Sequence, residues 1–114
     1  MKVFVYYNLH KKMWSVKALE GERKGRVIIH CLNFTLANCT FKVSEAGRQR
    51  VLREKRKNVH AGIVGEWRDA IPCDDGDMVS YNPYKGPHFF DVLDKGPVYN
   101  ARIVHGVGKQ VFYS

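Results

Sequence analysis

The amino-acid sequence predicts an α+β domain: an antiparallel β-meander sheet with a single basic α-helix, about residues 44–59, inserted mid-chain. Three observations predict it. Short runs rich in Val, Ile, Tyr, Phe and Trp recur along the chain, separated by turn-forming Gly, Asn, Asp and Pro. Residues 44–59 alone depart from that pattern and read with helical periodicity behind a capping Ser44, with Glu45 in the first turn. A length of 114 residues, 45% hydrophobic and 26% charged, suits one domain spanning 1–114 with a real core rather than a disordered chain.

Residues 3–7 and 13–18 flank the polar stretch Asn8-Leu9-His10-Lys11-Lys12 and read as a hairpin whose strands carry aromatics on both faces. Residues 20–25 form a second turn, and residues 26–31 a third strand. There Val27, Ile28 and Ile29 run together as in a strand buried on both faces. Residues 33–39 are ambiguous, and 40–43 read as a short strand feeding the helix. Residues 62–67 form a strand after it, and Asp74-Asp75-Gly76-Asp77 a solvated turn before a strand at 78–81. That Asp cluster lacks the twelve-residue ligand spacing and closing Glu of a calcium loop. The chain finishes with strands at 98–104 and 110–113, joined by a glycine-spaced turn at 105–109.

In the helix, Val51, Leu52 and Val59 define a core-facing arc at about 100° per residue, and Arg48 and Lys55 fall within it. A buried unpaired cation costs several kcal/mol, so each must snorkel, meet a carboxylate or line a site for an anionic ligand. Arg50, Arg53, Arg56 and Lys57 fan over the outward arc. The segment thus carries six of the nineteen Lys and Arg of the chain. As a solvated helix it needs no function; as an anion-binding helix its partners are phosphates, which clustered Arg holds in bidentate geometry. Gly47, in the first turn, points to close packing by a neighbour.

A net charge of +8 and a pI near 9.6 favour acidic partners: nucleotide, nucleic acid or an acidic protein. No stretch approaches a membrane span and the N-terminus lacks a signal-peptide core, so the reading is a soluble cytoplasmic protein with no membrane partner. Cys31, Cys39 and Cys73 are odd in number and have no C-x-x-C spacing. They read as reduced and structural, with no disulfide framework and no metal. The glycines at 105–109 match neither a P-loop nor a dinucleotide fingerprint, so no cofactor is implied.

Residues 81–90 combine two prolines, a glycine, four aromatics and a cation, which makes a shaped loop. Tyr84 or His88 in it offers a platform on which a base stacks, set against the simpler packing of those rings into the core. His60, just past the basic helix, is placed to donate to a phosphate or to act as an acid or base beside one. No local spacing assembles a nucleophile, base and orienter, so no catalytic residue is assigned.

Residues 2–19 (KVFVYYNLHKKMWSVKAL) and 41–65 (FKVSEAGRQRVLREKRKNVHAGIVG) resemble a family of small uncharacterised accessory proteins of tailed bacteriophages, with a hairpin opening and an Arg/Lys-rich helix ending in a KNVHA-type segment. The resemblance implies a phage accessory protein in the bacterial host cytoplasm that modulates host enzymes or blunts defence. It implies no reaction or ligand. Joined to the charge argument, it favours a non-enzymatic binder of a phosphate-bearing ligand. A nucleotide sequesterer uses Arg48, Lys55, His60, Tyr84 and His88 around a closed pocket. A nucleic-acid binder spreads Arg50, Arg53, Arg56 and Lys57 along an open, salt-sensitive stripe. The alternatives are a protein–protein inhibitor of an acidic host protein and a small nucleotide-processing enzyme using His60. Exposed sheet edges also allow a homodimer.

Overall fold

The computed structural model describes residues 1–69 and 76–114. Its elements run β1 (Lys2–Asn8), β2 (Met13–Ala18), β3 (Val27–Cys31), β4 (Asn33–Val43), α1 (Glu45–Glu54), β5 (Ala61–Arg68), β6 (Asp77–Ser80), β7 (Phe89–Asp91), β8 (Pro97–Val98), β9 (Asn100–Val107) and β10 (Gln110–Tyr113). All ten strands join one antiparallel sheet in the order β3-β2-β1-β5-β4-β9-β10-β6-β7-β8. The fold is therefore mainly β, which overturns the expected α+β class. Cys73 and the first half of the Asp-rich turn at 74–77, Asp74 and Asp75, lie outside the described residues.

The helix is shorter than its basic sequence suggests because its two ends are tied together. Ser44 caps it by accepting from the Gly47 N–H, and the Ser44 N–H itself donates to the His60 carbonyl at 2.7 Å. The chain must therefore be back beside Ser44 at His60. It turns out of the helix at Lys55, which is left-handed (φ 59°) and closes the last turn by donating to the Val51 carbonyl. Arg56, Lys57, Asn58 and Val59 form an irregular strap instead of a final helical turn. Lys55 and Val59, expected on the core-facing arc, are exposed, and Val51 is the buried residue of the helix.

The meander expectation holds for β1-β2-β3, whose first hairpin runs in register from Val3↔Ala18 to Asn8↔Met13. It fails at β4, which crosses to the middle of the sheet and lies between β5 and β9. The reason is legible in side chains. Phe34, Thr35, Leu36 and Ala37 are all buried, so this strand needs cover on both faces, and eleven residues give it two full partners. The ambiguous stretch at 33–39 and the short strand at 40–43 are one strand broken by a bulge, with Asn38 left-handed at φ 52°. Conversely, β3 is an edge strand. Val27 and Ile29 are 42% and 38% exposed, which corrects the reading of residues 27–29 as buried on both faces.

Ten flat strands at about 4.8 Å spacing would span roughly 43 Å. The longest extent of the molecule is 36 Å, so the sheet curls. The curl lets Trp14 of β2 donate from Nε1 to the Gly108 carbonyl, 2.6 Å away in the β9–β10 turn, although three strands separate β2 from β9. One core of Val3, Val5, Val16, Phe34, Leu36, Ile63 and Val104 fills the inside. Gly106 lies opposite Phe34, whose ring covers it so closely that a Cβ there would fall 2.1 Å from a ring carbon. Residues 105–107 are accordingly strand, and the turn expected at 105–109 narrows to Gly108 and Lys109.

Candidate ligand-binding cleft

Because α1 connects β4 to β5, which are neighbours in the sheet, the helix is held over one end of that pair. The strap after it and the loop at 81–84 face each other across a cavity of about 610 Å³. Lys55, Lys57, Asn58, Val59 and His60 line it from the strap side, and Tyr81, Asn82, Pro83 and Tyr84 from the loop. Tyr7 and Leu9 reach it from the first hairpin, and Val51 and Ala61 complete it. The lining is mostly apolar, contains two lysines and includes no carboxylate.

His60 organises the polar part of this cleft. Asn58 Nδ2 donates to the Gly47 carbonyl at 3.2 Å, which orients its Oδ1 toward His60 Nδ1, 2.7 Å away. Nδ1 is then the ring donor, and in the neutral ring Nε2 accepts from the Tyr81 hydroxyl at 2.6 Å. The chain Tyr81-His60-Asn58-Gly47 thus runs from loop to helix, and the Tyr81 ring also meets the His60 ring edge-on at 5.3 Å. Burial pushes the Tyr81 phenol above its usual range, while the nearby Arg48 charge opposes the shift. Tyr81 is therefore a neutral hydroxyl with spare acceptor capacity facing the cavity. Gly47 packs on the His60 Cβ, the close packing that its place in the first turn suggested.

Arg48 points inward as its position requires, with 14% of its side chain exposed, but it is already satisfied. Its Nε donates to the Pro83 carbonyl at 2.9 Å and its Nη1 to Glu45 Oε1 at 2.8 Å. Gln49 also donates to that oxygen, and together with the Arg48 guanidinium it holds the Glu45 carboxyl below its usual range. Arg48 is a clasp between helix and loop, standing behind the cleft wall and outside the cavity lining.

Of the five residues expected around a pocket, the fold brings together Lys55, His60 and Tyr84. The Lys55 ammonium lies over the Tyr84 ring at 5.7 Å from its centroid. His88 goes elsewhere, facing the Tyr99 ring and a cavity of about 100 Å³ with Lys85, Phe90 and Lys95. The four outward cations divide between two segments. Arg50 and Arg53 sit on α1, with Arg50 beside Glu54 at 3.8 Å, while Arg56 and Lys57 lie on the strap and Lys57 turns to the cleft. The sequence placed the loop that begins at Tyr81 at the pocket but missed Tyr7 and Asn58 as cleft residues. Tyr7 belongs to the first hairpin, far from the strap in sequence, and the antiparallel pairing of β1 with β5, Val5 against Ile63, brings it there. Among the described residues no group of His, Cys, Asp and Glu converges as a metal site, and no helix is long and apolar enough to cross a membrane.

Residues 1–114 match the family model described as Mycobacterium phage L5 gene 82 protein. The Gene 82 protein of Mycobacterium phage L5 is 45% identical to this chain over 112 residues, which covers 92% of this chain and 89% of that one. No solved structure matches.

Proposed function

We propose that this chain, which belongs to the Mycobacterium phage L5 gene 82 protein family, is a non-enzymatic phage accessory protein that holds a nucleotide in the cleft between its strap and its 81–84 loop. The observation that carries this reading is the composition of one cavity. Two lysines, three tyrosines and a hydrogen-bonded histidine face about 610 Å³ with no carboxylate among them. That volume is within the range of small-ligand sites, roughly 300–1,000 Å³. Tyr84 offers a stacking face, worth about 1–3 kcal/mol for a base. Lys55 and Lys57 supply the charge for phosphates, and the free amide donors of Asn82 with the Tyr81 hydroxyl supply polar contacts. Capture of a phosphorylated host or defence signal needs no catalytic group.

The division of the outer cations between α1 and the strap favours a closed site over an open nucleic-acid stripe, since a stripe needs aligned cations along one path. The test is mass spectrometry of molecules released when protein freshly purified from bacteria is denatured, followed by calorimetric titration of the nucleotide found. A Lys55→Ala, Lys57→Ala double variant should lose at least tenfold in affinity with its circular dichroism unchanged. Unchanged affinity, or release of salt-removable polynucleotide in place of a nucleotide, overturns the reading.

A further inference from the structure

The loop that bounds the cleft at 81–84 runs on into a second cavity, of about 100 Å³, lined by Lys85, His88, Phe90 and Lys95. Strand alternation places it. Phe89 is buried against the Phe41 and Tyr81 rings, so Phe90, the next residue of β7, turns to the opposite face of the sheet. The Lys85 ammonium lies over that outward ring, 5.3 Å from its centroid, which holds the charge at the cavity wall. Lys95 comes from the turn between β7 and β8, where its backbone is left-handed (φ 65°) and its N–H donates to the Asp91 carbonyl at 2.9 Å. The His88 ring faces the Tyr99 ring at 5.9 Å between centroids, and Gly86 leaves it room, since a Cβ there would fall 3.3 Å from His88 Cε1.

The polar groups of this cavity are unanswered within the protein. Among the described residues neither lysine forms an ion pair and the His88 ring nitrogens form no hydrogen bond. Two carboxylates are close in sequence, and both are spent elsewhere. Asp94 Oδ1 accepts the Gly96 N–H at 2.7 Å, and the buried Asp91 accepts the Tyr113 hydroxyl and the N–H groups of Leu93 and Asp94. Neither lines the cavity. Two ammonium groups around one small cavity repel each other, and an anion between them turns that repulsion into attraction. We propose that this cavity binds a single phosphate group, as free inorganic phosphate or as the end of a small phosphate monoester. The two charges of a phosphate dianion match the two lysines, and its tetrahedral oxygens accept from both ammonium groups and from the His88 ring N–H at once. The volume lies well below the roughly 300 Å³ at which sites for drug-sized ligands begin, so the phosphate group alone enters. Lys55 and Lys57 take no part, and the site does not depend on what the cleft binds.

Titration of the isotope-labelled full chain with inorganic phosphate, at ionic strength held constant with chloride and followed by amide NMR, tests the proposal. The signals of Gly86, His88, Phe90 and Lys95 should move together and saturate. A Lys85→Ala, Lys95→Ala variant, altered at two exposed positions, should keep its spectrum elsewhere and lose at least tenfold in phosphate affinity, while Lys55→Ala, Lys57→Ala leaves these shifts unchanged. Ribose 5-phosphate separates the two sources: equal binding assigns the site to the end of a monoester, and binding of inorganic phosphate alone assigns it to the free ion. Shifts that never saturate, that chloride alone reproduces, or that are confined to residues 55–60 and 81–84 overturn the proposal. So does full affinity in the Lys85→Ala, Lys95→Ala variant.

Discussion

Gly47→Ala separates the helix seen alone from the helix seen in its fold, because the two give opposite signs. In an isolated helix the substitution stabilises by about 1 kcal/mol. Here the added Cβ would lie 2.5 Å from the His60 Cβ, against ordinary carbon contacts of about 3.5–4.0 Å. His60 cannot step aside cheaply. Its carbonyl accepts from the Ser44 N–H at 2.7 Å, Nδ1 is held by Asn58 at 2.7 Å, and Nε2 by Tyr81 at 2.6 Å. Overpacking of this kind costs about 1–3 kcal/mol, and loss of the Tyr81 bond about 1 kcal/mol more. Set against the helical gain, the net loss is about 2 kcal/mol, or roughly 8 °C in Tm for a domain of this size. Guanidinium unfolding followed by circular dichroism measures it. In a His60→Gly background, which lacks the opposing Cβ, the same Gly47→Ala change should stabilise instead. Stabilisation by Gly47→Ala in the wild-type chain would refute the reasoning.

Arg48→Ala should cost about 2 kcal/mol in denaturant unfolding, since it leaves the Pro83 carbonyl without its charge-assisted donor. Lys55→Ala, at an exposed position, should change stability by under about 0.5 kcal/mol while weakening nucleotide binding in calorimetry. Gly106→Ala should destabilise by about 3 kcal/mol or more, because the buried Phe34 ring must leave its place; thermal unfolding reads the loss. The Tyr113 hydroxyl donates to Asp91 Oδ2 at 2.6 Å, and Asp91 Oδ1 accepts the N–H groups of Leu93 and Asp94. The Tyr113 bond, with these N–H groups, holds the Asp91 carboxyl below its usual range. The Asp91 contribution is therefore present above the unfolded carboxylate value and fades as pH falls below about 4. The Tyr113 phenol, pushed up to about 12 by its bond to Asp91, contributes stability that is fully present below about pH 10 and is lost as pH rises from there to about 12. Tm against pH should show both losses, and Tyr113→Phe should abolish the alkaline one.

The first hairpin was legible because β1 and β2 pair locally: the turn at 8–12 and the run 13–18 follow from alternation and turn chemistry alone. The centre of the sheet was not. Whether Val27-Ile28-Ile29 or Phe34-Thr35-Leu36-Ala37 becomes the doubly covered strand depends on which partners arrive from residues 61–68 and 100–107, and no local pattern carries that. The class was misjudged for a related reason. Basic residues read as helix to residue 59, whereas the Ser44–His60 hydrogen bond requires the chain to leave the helix at Lys55. The cleft was legible in part: Lys55, His60 and Tyr84 announced themselves by charge and loop chemistry. Arg48 was rightly placed inward, but its occupation by Pro83 and Glu45 is a tertiary fact.

The way α1 is held bears on what the cleft does. The helix buries Val51 alone, worth about 1.5–3 kcal/mol, against the conformational entropy of ordering ten residues. Hydrophobic burial therefore does not anchor it. Polar ties do: Arg48 to Pro83, Asn58 to Gly47, His60 to Tyr81 and Ser44 to His60. These ties run between the helix, its strap and the loop, the same segments that line the cavity. The helix and strap are thus the part of the molecule most easily opened, while the curled sheet with its single core holds the rest. On the proposed function, a nucleotide bridging Lys55, Lys57 and Tyr84 would join strap to loop beside the His60–Tyr81 ring contact, and its binding free energy would stabilise that closed arrangement by mass action. On that same proposal, a strap that opens easily would admit the ligand, and the bound ligand would then hold it shut.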